Sequence, residues 1–417
     1  MGGHVDILKA RDAADVEAAV RAAIAGGQPL DIVGHGTRRQ IGQPTVTDAV
    51  LDLSSLNAVT AYEPNELILT VQSGAPLADV LSLIDSRNQH FAFEPMNPAA
   101  LLGSGSDAGT IGGMLAAGLA GPRRIKDGGA RDHLLGAHAV SGFGDSFKAG
   151  GRVVKNVTGY DLCKLLAGSW GTLAVMTEVT LKVMPRPECQ RTLVLHGLDD
   201  AAAGRAMTAA LGSPYDISGA AHLPASALRT ADGALSAIGA PDASVTLVRL
   251  EGIAVSADHR AASLARALAA FGKAEIVSDD LSPRLWRAIR DVLPFAASGV
   301  LGAWPVWRIV CPPASGGALG SGLVRATGGE VLYDWGGGLI WAAVPPSDDG
   351  HAVLVRAHAA AAGGHATLIR GDSTLRGGID VFQPLAGGVA ALAGRVKHSF
   401  DPKDILNRGR MVRGAAT

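Results

Sequence analysis

Two short glycine turns are the residues of this sequence best suited to chemistry. The first, Gly34-His35-Gly36-Thr37, follows the apolar run Leu30-Asp31-Ile32-Val33. The second, Gly109-Thr110-Ile111-Gly112-Gly113, belongs to a segment with seven glycines from Gly103 to Gly121. Backbone N–H groups in such turns form anion-binding concavities, and a missing Cβ lets a phosphate approach closely. The Thr37 and Thr110 hydroxyls add donors. Together the two turns suit a diphosphate, although either one alone serves equally well as a plain chain reversal. There is no GxxxxGK[ST], which excludes a P-loop. A Rossmann fingerprint fits poorly at both places. Arg39 occupies the third small position after Gly34 and Gly36, and Ala99 to Leu102, before Gly103-Ser104-Gly105-Ser106-Asp107-Ala108, makes a poor strand.

Other reactive groupings are weaker. Ala167-Gly168-Ser169-Trp170-Gly171 approximates a nucleophile elbow, but an elbow needs a strand before the serine and a helix after it. Here Leu162, Leu165 and Leu166 suggest a helix before it, and strand-like alternation begins at Thr172, so Ser169 is rejected. Of the twelve histidines, His133 and His138 are five apart and His351, His358 and His365 seven apart. None makes an HxH or HExxH pattern, and no metal site is expected. Arg123, Arg124 and Arg370 are candidates to hold a carboxylate, with ordinary surface arginines the alternative. No catalytic residue is assigned.

The elements that must position the turns can be read from periodicity. Val16, Ala19, Val20, Ala23 and Ile24 mark an amphipathic helix, begun by Asp12 and stopped by Gly26-Gly27, which leads into the strand at Leu30. Val59 to Tyr62 and Leu67 to Val71 flank a turn and predict a hairpin. Pro76 opens a helix with Leu77, Val80, Leu81 and Ile84 on one face. Thr172 to Val183 alternates as a long strand, and Pro185 and Pro187 mark a boundary after it. Beyond it, strand-like runs at 245–250, 306–310, 339–344 and 366–369 alternate with alanine-rich helical stretches at 261–271 and 352–362, a separate α+β unit. The predicted division is 1–186, 187–395 and a tail at 396–417.

Composition narrows the function. At roughly 150 residues per domain, 417 residues make two or three domains. Lys+Arg 37 against Asp+Glu 38 leaves a net charge of −1, without the basic surface that nucleic acid or anionic lipid requires. No apolar stretch reaches the roughly 18 residues of a transmembrane helix. The N-terminus carries no targeting pattern, so a cytoplasmic location is expected. Cys163, Cys189 and Cys311 are too few and too scattered for a disulfide framework.

Residues 150–173, GGRVVKNVTGYDLCKLLAGSWGTL, closely resemble the FAD-binding E subunits of bacterial glycolate oxidase (glycolate dehydrogenase). So do Gly112-Gly113-Met114, Gly121-Pro122-Arg123-Arg124 with Arg131-Asp132, Tyr333-Asp334-Trp335-Gly336-Gly337, Gly363-Gly364-His365-Ala366-Thr367, and the tail Phe400-Asp401-Pro402 with Asn407-Arg408-Gly409-Arg410. The resemblance spans almost the whole chain. It implies an α+β fold of the vanillyl-alcohol-oxidase (PCMH) type, in which a two-subdomain FAD-binding domain is followed by an α+β cap. It places the first pyrophosphate loop at Gly34, His35, Gly36, Thr37 and Arg38, and the second at Ala108, Gly109, Thr110, Ile111, Gly112 and Gly113. It further assigns Gly171 and Val175 to the nucleotide end, and Asn407 and Arg410 to a return of the tail beside the flavin ring.

Arg408 stands where such subunits usually carry proline. Relatives that attach FAD through a histidine place it after a Gly-Gly pair, whereas His35 lies between Gly34 and Gly36. Non-covalent FAD is therefore expected, with His35 offering only its backbone. In catalytic relatives a Gly-Glu-His-Gly segment occupies the position of Gly363-Gly364-His365; the glutamate is missing here, so no catalytic role is carried over. The resemblance implies a subunit of a complex that oxidises glycolate, a small 2-hydroxy acid, to glyoxylate. Its partners would be a catalytic FAD-binding subunit and an iron–sulfur subunit, through which it would meet the inner membrane. A self-sufficient FAD-dependent 2-hydroxy-acid or alcohol oxidoreductase, and a scaffold without cofactor, are the alternatives.

Overall fold

The computed structural model describes residues 6–413, apart from 46, 48, 106, 153–158, 232, 239–241 and 279. Val153 to Thr158, part of the 150–173 motif, therefore lie outside the described residues. The chain opens with a three-stranded parallel sheet ordered Asp6–Lys9, Ala49–Asp52, Leu30–Val33. The helix Ala13–Gly26 covers it, with Asp12 accepting from Asp15 N at 2.9 Å at the start and Gly27 at φ 66° at the end. Val16, Val20 and Ala23 bury the apolar face that the spacing predicts.

The predicted hairpin, Val59–Glu63 and Ile68–Gln72, joins a five-stranded antiparallel sheet. Its centre is Ala174–Lys182, flanked by Ile68–Gln72 on one side and Leu134–Ser141, then Ser146–Gly150, on the other. After this strand Met184–Pro185 pairs with Gln89–His90, so the proline-marked boundary is itself a two-residue strand. An eight-stranded antiparallel sheet follows, in the order Glu275–Val277, Cys189–His196, Val245–Gly252, Ile217–Leu223, Glu330–Asp334, Leu339–Ala343, Val306–Val310, His365–Arg370. The predicted runs at 245, 306, 339 and 366 are four of these strands.

One face of the large sheet packs directly on the first half of the chain. Met96, Leu101, Leu102 and Leu119 share a buried cluster with Leu223, Leu247, Leu332 and Trp341. Polar ties fix the register of the two halves. Arg249 donates to both oxygens of Glu94 at 2.7 and 2.8 Å, Arg123 donates to Glu251 at 2.5 Å, and Trp335 Nε1 donates to Gly121 O at 3.0 Å. Burial by itself would raise the Glu94 carboxyl, but Arg249 and Arg123 outweigh it and hold it at about 2.

The last helix runs Gly387–Phe400, and the expected boundary at 395/396 falls inside it. Gly394 does not break it, because the residues that dock its end, Lys397 and Phe400, lie one to two turns further on. Lys397 Nζ donates to Thr172 O at 2.7 Å, and Phe400 meets Phe147 at 6.1 Å between ring centres.

Candidate cofactor groove

The strand Leu30–Val33 delivers the first glycine turn to the edge of the small sheet, and the strand Ile68–Gln72 leads through Ser73 toward the second. The two turns touch. A Cβ built on Gly34 would lie 2.4 Å from Thr110 Oγ1, and one on Gly109 would lie 2.4 Å from Thr37 Oγ1 and 2.5 Å from Arg38 Nη1. Turns separated by some seventy residues in sequence thus meet with no room for a methyl group. The His35 side chain reinforces the junction, its Nδ1 lying 2.7 Å from Asp107 Oδ2.

Beside this junction opens a groove of about 740 Å³, open solvent included. Gly34, His35, Gly36, Thr37, Arg38, Thr110, Gly112 and Gly113 line it, together with Gly171, Val175, Asn407 and Arg410. Ala108, Gly109 and Ile111 do not. Ile111 is fully buried, and Gly109 O accepts from Leu77 N at 2.8 Å.

The second turn also departs from the expected amide nest. Four of its N–H groups are taken by protein acceptors: Gly109 N by Asp107 Oδ1 at 2.7 Å, Ile111 N by Ala75 O at 3.0 Å, Gly112 N by Ser73 O at 2.7 Å and Gly113 N by Thr110 Oγ1 at 3.3 Å. Buried amides take the nearest strong acceptor, and the strand end at Ser73 supplies one. This turn mainly provides surface without side chains, whereas the amides of residues 34–38 have no hydrogen-bond acceptor among the described residues.

The cations of the groove were not foreseen as a pair. Arg38 and Arg410 are 8% and 6% exposed, and neither forms an ion pair with a carboxylate among the described residues. Arg38 Nη1 donates to Ala108 O at 3.0 Å, while its Nε has no partner. Arg410 Nη2 donates to Arg38 O at 2.7 Å, and its guanidinium lies 5.7 Å from the centre of the Trp170 ring. Burial pulls both down to about 10, against Asp107 in the case of Arg38 and against Asp31 in that of Arg410. Buried cations left without counter-ions are poised for an anionic ligand. Ser73 Oγ, buried and unpartnered, adds a hydroxyl to the same wall.

The tail closes the groove. Asn407 accepts from Ile32 N at 2.7 Å and donates to Trp170 O at 2.7 Å. Where proline was expected, Arg408 ties the turn with its own side chain, donating to Asp404 O at 2.8 Å and Lys403 O at 3.1 Å.

The remaining candidates serve structure. Arg370 donates to the carbonyls of Leu101, Phe295, Leu301 and Trp304. Arg123 is paired as described, and Arg124 lies over Trp335. Ser169 donates to Leu166 O. His365 lies exposed at the start of the last strand and has no structural role of this kind. A second groove, lined by Glu94, Arg123, Arg249, Glu251, Arg290 and His90, borders the junction of the two halves. Its acids and arginines are largely paired with one another. His90 is driven down to about 3 by burial, with Arg123 the next cause.

Comparison with known proteins bears on what the first groove holds. Residues 7–150 match the model of a FAD binding domain family. Over 396 residues, 94% of this chain and 95% of the relative, the sequence is 32% identical to the glycolate oxidase subunit GlcE of Escherichia coli (strain K12). The chain belongs to the GlcE family. The glycolate oxidase subunit GlcD of Bacillus subtilis (strain 168) is 35% identical across 42% of this chain and 36% of its own length. A D-lactate dehydrogenase of Anaerostipes hadrus is 30% identical across 45% and 38%. Among solved structures, p-cresol methylhydroxylase superposes with a TM-score of 0.69 at 14% identity, covering 97% of this chain and 88% of that one. The fold is thus the PCMH type, and this GlcE-family chain is an FAD-linked oxidoreductase. The groove fits the cofactor: methyl-free turns, unclaimed amides and two buried cations without counter-ions match the needs of a diphosphate.

Proposed function

We propose that the chain is the FAD-holding subunit of a multi-subunit enzyme that oxidises glycolate to glyoxylate and passes the electrons to an iron–sulfur subunit. The observation that carries this is the convergence of the Gly34 turn, the Thr110 turn and the Asn407 tail on one groove with two uncompensated cations. In the proposal Gly34, Gly36, Thr37, Arg38, Thr110, Gly112, Gly113 and Arg410 hold the diphosphate, while Gly171, Val175 and Asn407 flank the nucleotide. FAD when bound supplies a two-electron acceptor, and its attachment is non-covalent, with His35 occupied by Asp107.

One feature bears on the relay. The three cysteines are buried and separate, so clusters that need four thiolates reside on a partner. No helix among the described residues is long and apolar enough to cross a membrane, and the proposal places the subunit in the cytoplasm, at the inner membrane only through its complex.

Purification tests this reading. The isolated chain should be yellow, release its flavin on denaturation and leave glycolate unchanged until the partner subunits are added. Glycolate turnover by the chain alone would overturn the relay, and a colourless protein that takes up no FAD would overturn the cofactor site.

A further inference from the structure

The helix Gly387–Phe400 buries none of its residues fully. From Pro384 to Arg395 every position is exposed, whichever way it points. Yet Pro384 to Gly394, PLAGGVAALAG, contains no charged or polar side chain. Leu385, Val389 and Leu392 are 52%, 56% and 52% exposed, and Cβ atoms built on Gly387, Gly388 and Gly394 would meet nothing within 4 Å. A helix that is apolar all round is a buried helix. Gly394 in its interior, costing about 1 kcal/mol against alanine, and a length at which isolated helices are marginal leave it without support of its own in water.

We infer that this projecting helix docks into an apolar groove on another subunit of the oxidase, a groove whose lip is acidic where it meets Arg395 and His398. The inference rests on the reading of the chain as a subunit. Exposure around the whole circumference calls for a groove that encloses the helix, the helix-in-groove mode of recognition. A membrane surface is a poor match, since interfacial helices carry a charged face along their length, whereas the charges of this one begin only at Arg395, and eleven residues fall well short of the roughly 20 that span a bilayer. A second copy of the chain is also a poor match, because the grooves described above are lined by glycine turns and by charged residues. The acidic lip follows from charge. The exposed stretch ends at Arg395, which forms no ion pair among the described residues, and His398 is exposed one turn on, whereas Lys397 is already held by Asp401 and Asp404. The last turn anchors the helix to the FAD domain, so a partner seated on it is fixed relative to the cofactor groove.

The test uses the full chain, co-expressed with the catalytic flavin subunit and the iron–sulfur subunit. V389E/L392E should weaken assembly about 100-fold or more, as expected for two side chains lost from a buried interface, and V389A/L392A should weaken it less. Flavin content and the urea midpoint of the isolated chain should stay unchanged in both, which separates lost docking from lost folding. Assembly that survives both variants overturns the inference. So does a wild-type homodimer that the variants convert to monomer, or wild-type binding to phosphatidylglycerol vesicles that the variants abolish. If the wild-type chain joins neither subunit, the proposed function itself fails, and the inference with it.

Discussion

Replacing Gly34 with alanine tests the contact between the two turns most directly. The added methyl would meet Thr110 Oγ1 at 2.4 Å, Cγ2 at 2.7 Å and Cβ at 3.1 Å. Thr110 cannot simply swing aside, because its hydroxyl caps the helix Ile111–Ala117 by accepting from Gly113 N. Overpacking of this kind costs about 1–3 kcal/mol, and losing the cap adds about 1 kcal/mol. Gly34→Ala should therefore destabilise the apo protein by about 2–4 kcal/mol in urea unfolding and lower its flavin content on purification. Thr110→Ala alone should cost about 1 kcal/mol. The double variant removes both atoms of the closest collision, so its loss should fall short of the sum by about 1–3 kcal/mol. Strict additivity of the two single effects, or a Gly34→Ala protein with full stability and normal flavin affinity, would refute the claim that the turns meet at this point.

Two more outcomes follow from the charges. Glu94 titrates at about 2 instead of the ordinary 4.5, so the unfolded chain takes up the proton first, and stability should fall as pH drops from about 4.5 to about 2. Glu94→Gln should flatten that decline in acid unfolding and cost about 3–5 kcal/mol at neutral pH, the loss expected when one partner of a buried pair is removed; a variant as stable as the parent at pH 7 would contradict the interdomain role. Arg410→Met should change the stability of the apo protein little, since it relieves the burial of a cation that has no ion pair among the described residues but also removes the hydrogen bond to Arg38 O. It should weaken FAD binding, followed by flavin fluorescence, about 10- to 100-fold, and unchanged affinity at low salt would count against a diphosphate role.

Much of the first half was legible because its elements are local. The helix after Asp12, the strand at Leu30, the hairpin at Val59 and the long strand ending at Lys182 announce themselves by period and punctuation, and all four form. The order of the eight-stranded sheet was not legible: Ile217–Leu223 is buried on both faces and shows no clean alternation, and its neighbour Glu330–Asp334 lies about a hundred residues away. The glycines of the second turn were visible, but the direction of their amides was not, since it depends on where the Ser73 carbonyl arrives. Arg38 and Arg410 could be singled out by position, yet their shared lack of counter-ions emerges only when residues 372 apart come together.

The tail has a consequence for how the molecule is made. Leu30 N donates to Ile405 O, Asn407 N donates to Leu30 O, and Asn407 Oδ1 accepts from Ile32 N across 375 positions. The strand that carries the first glycine turn thus waits for residues some 375 positions later to leave the ribosome before its outer edge is paired. Until then it stays an open template that a neighbouring nascent chain could extend, and FAD arriving early would find a cradle with one wall missing.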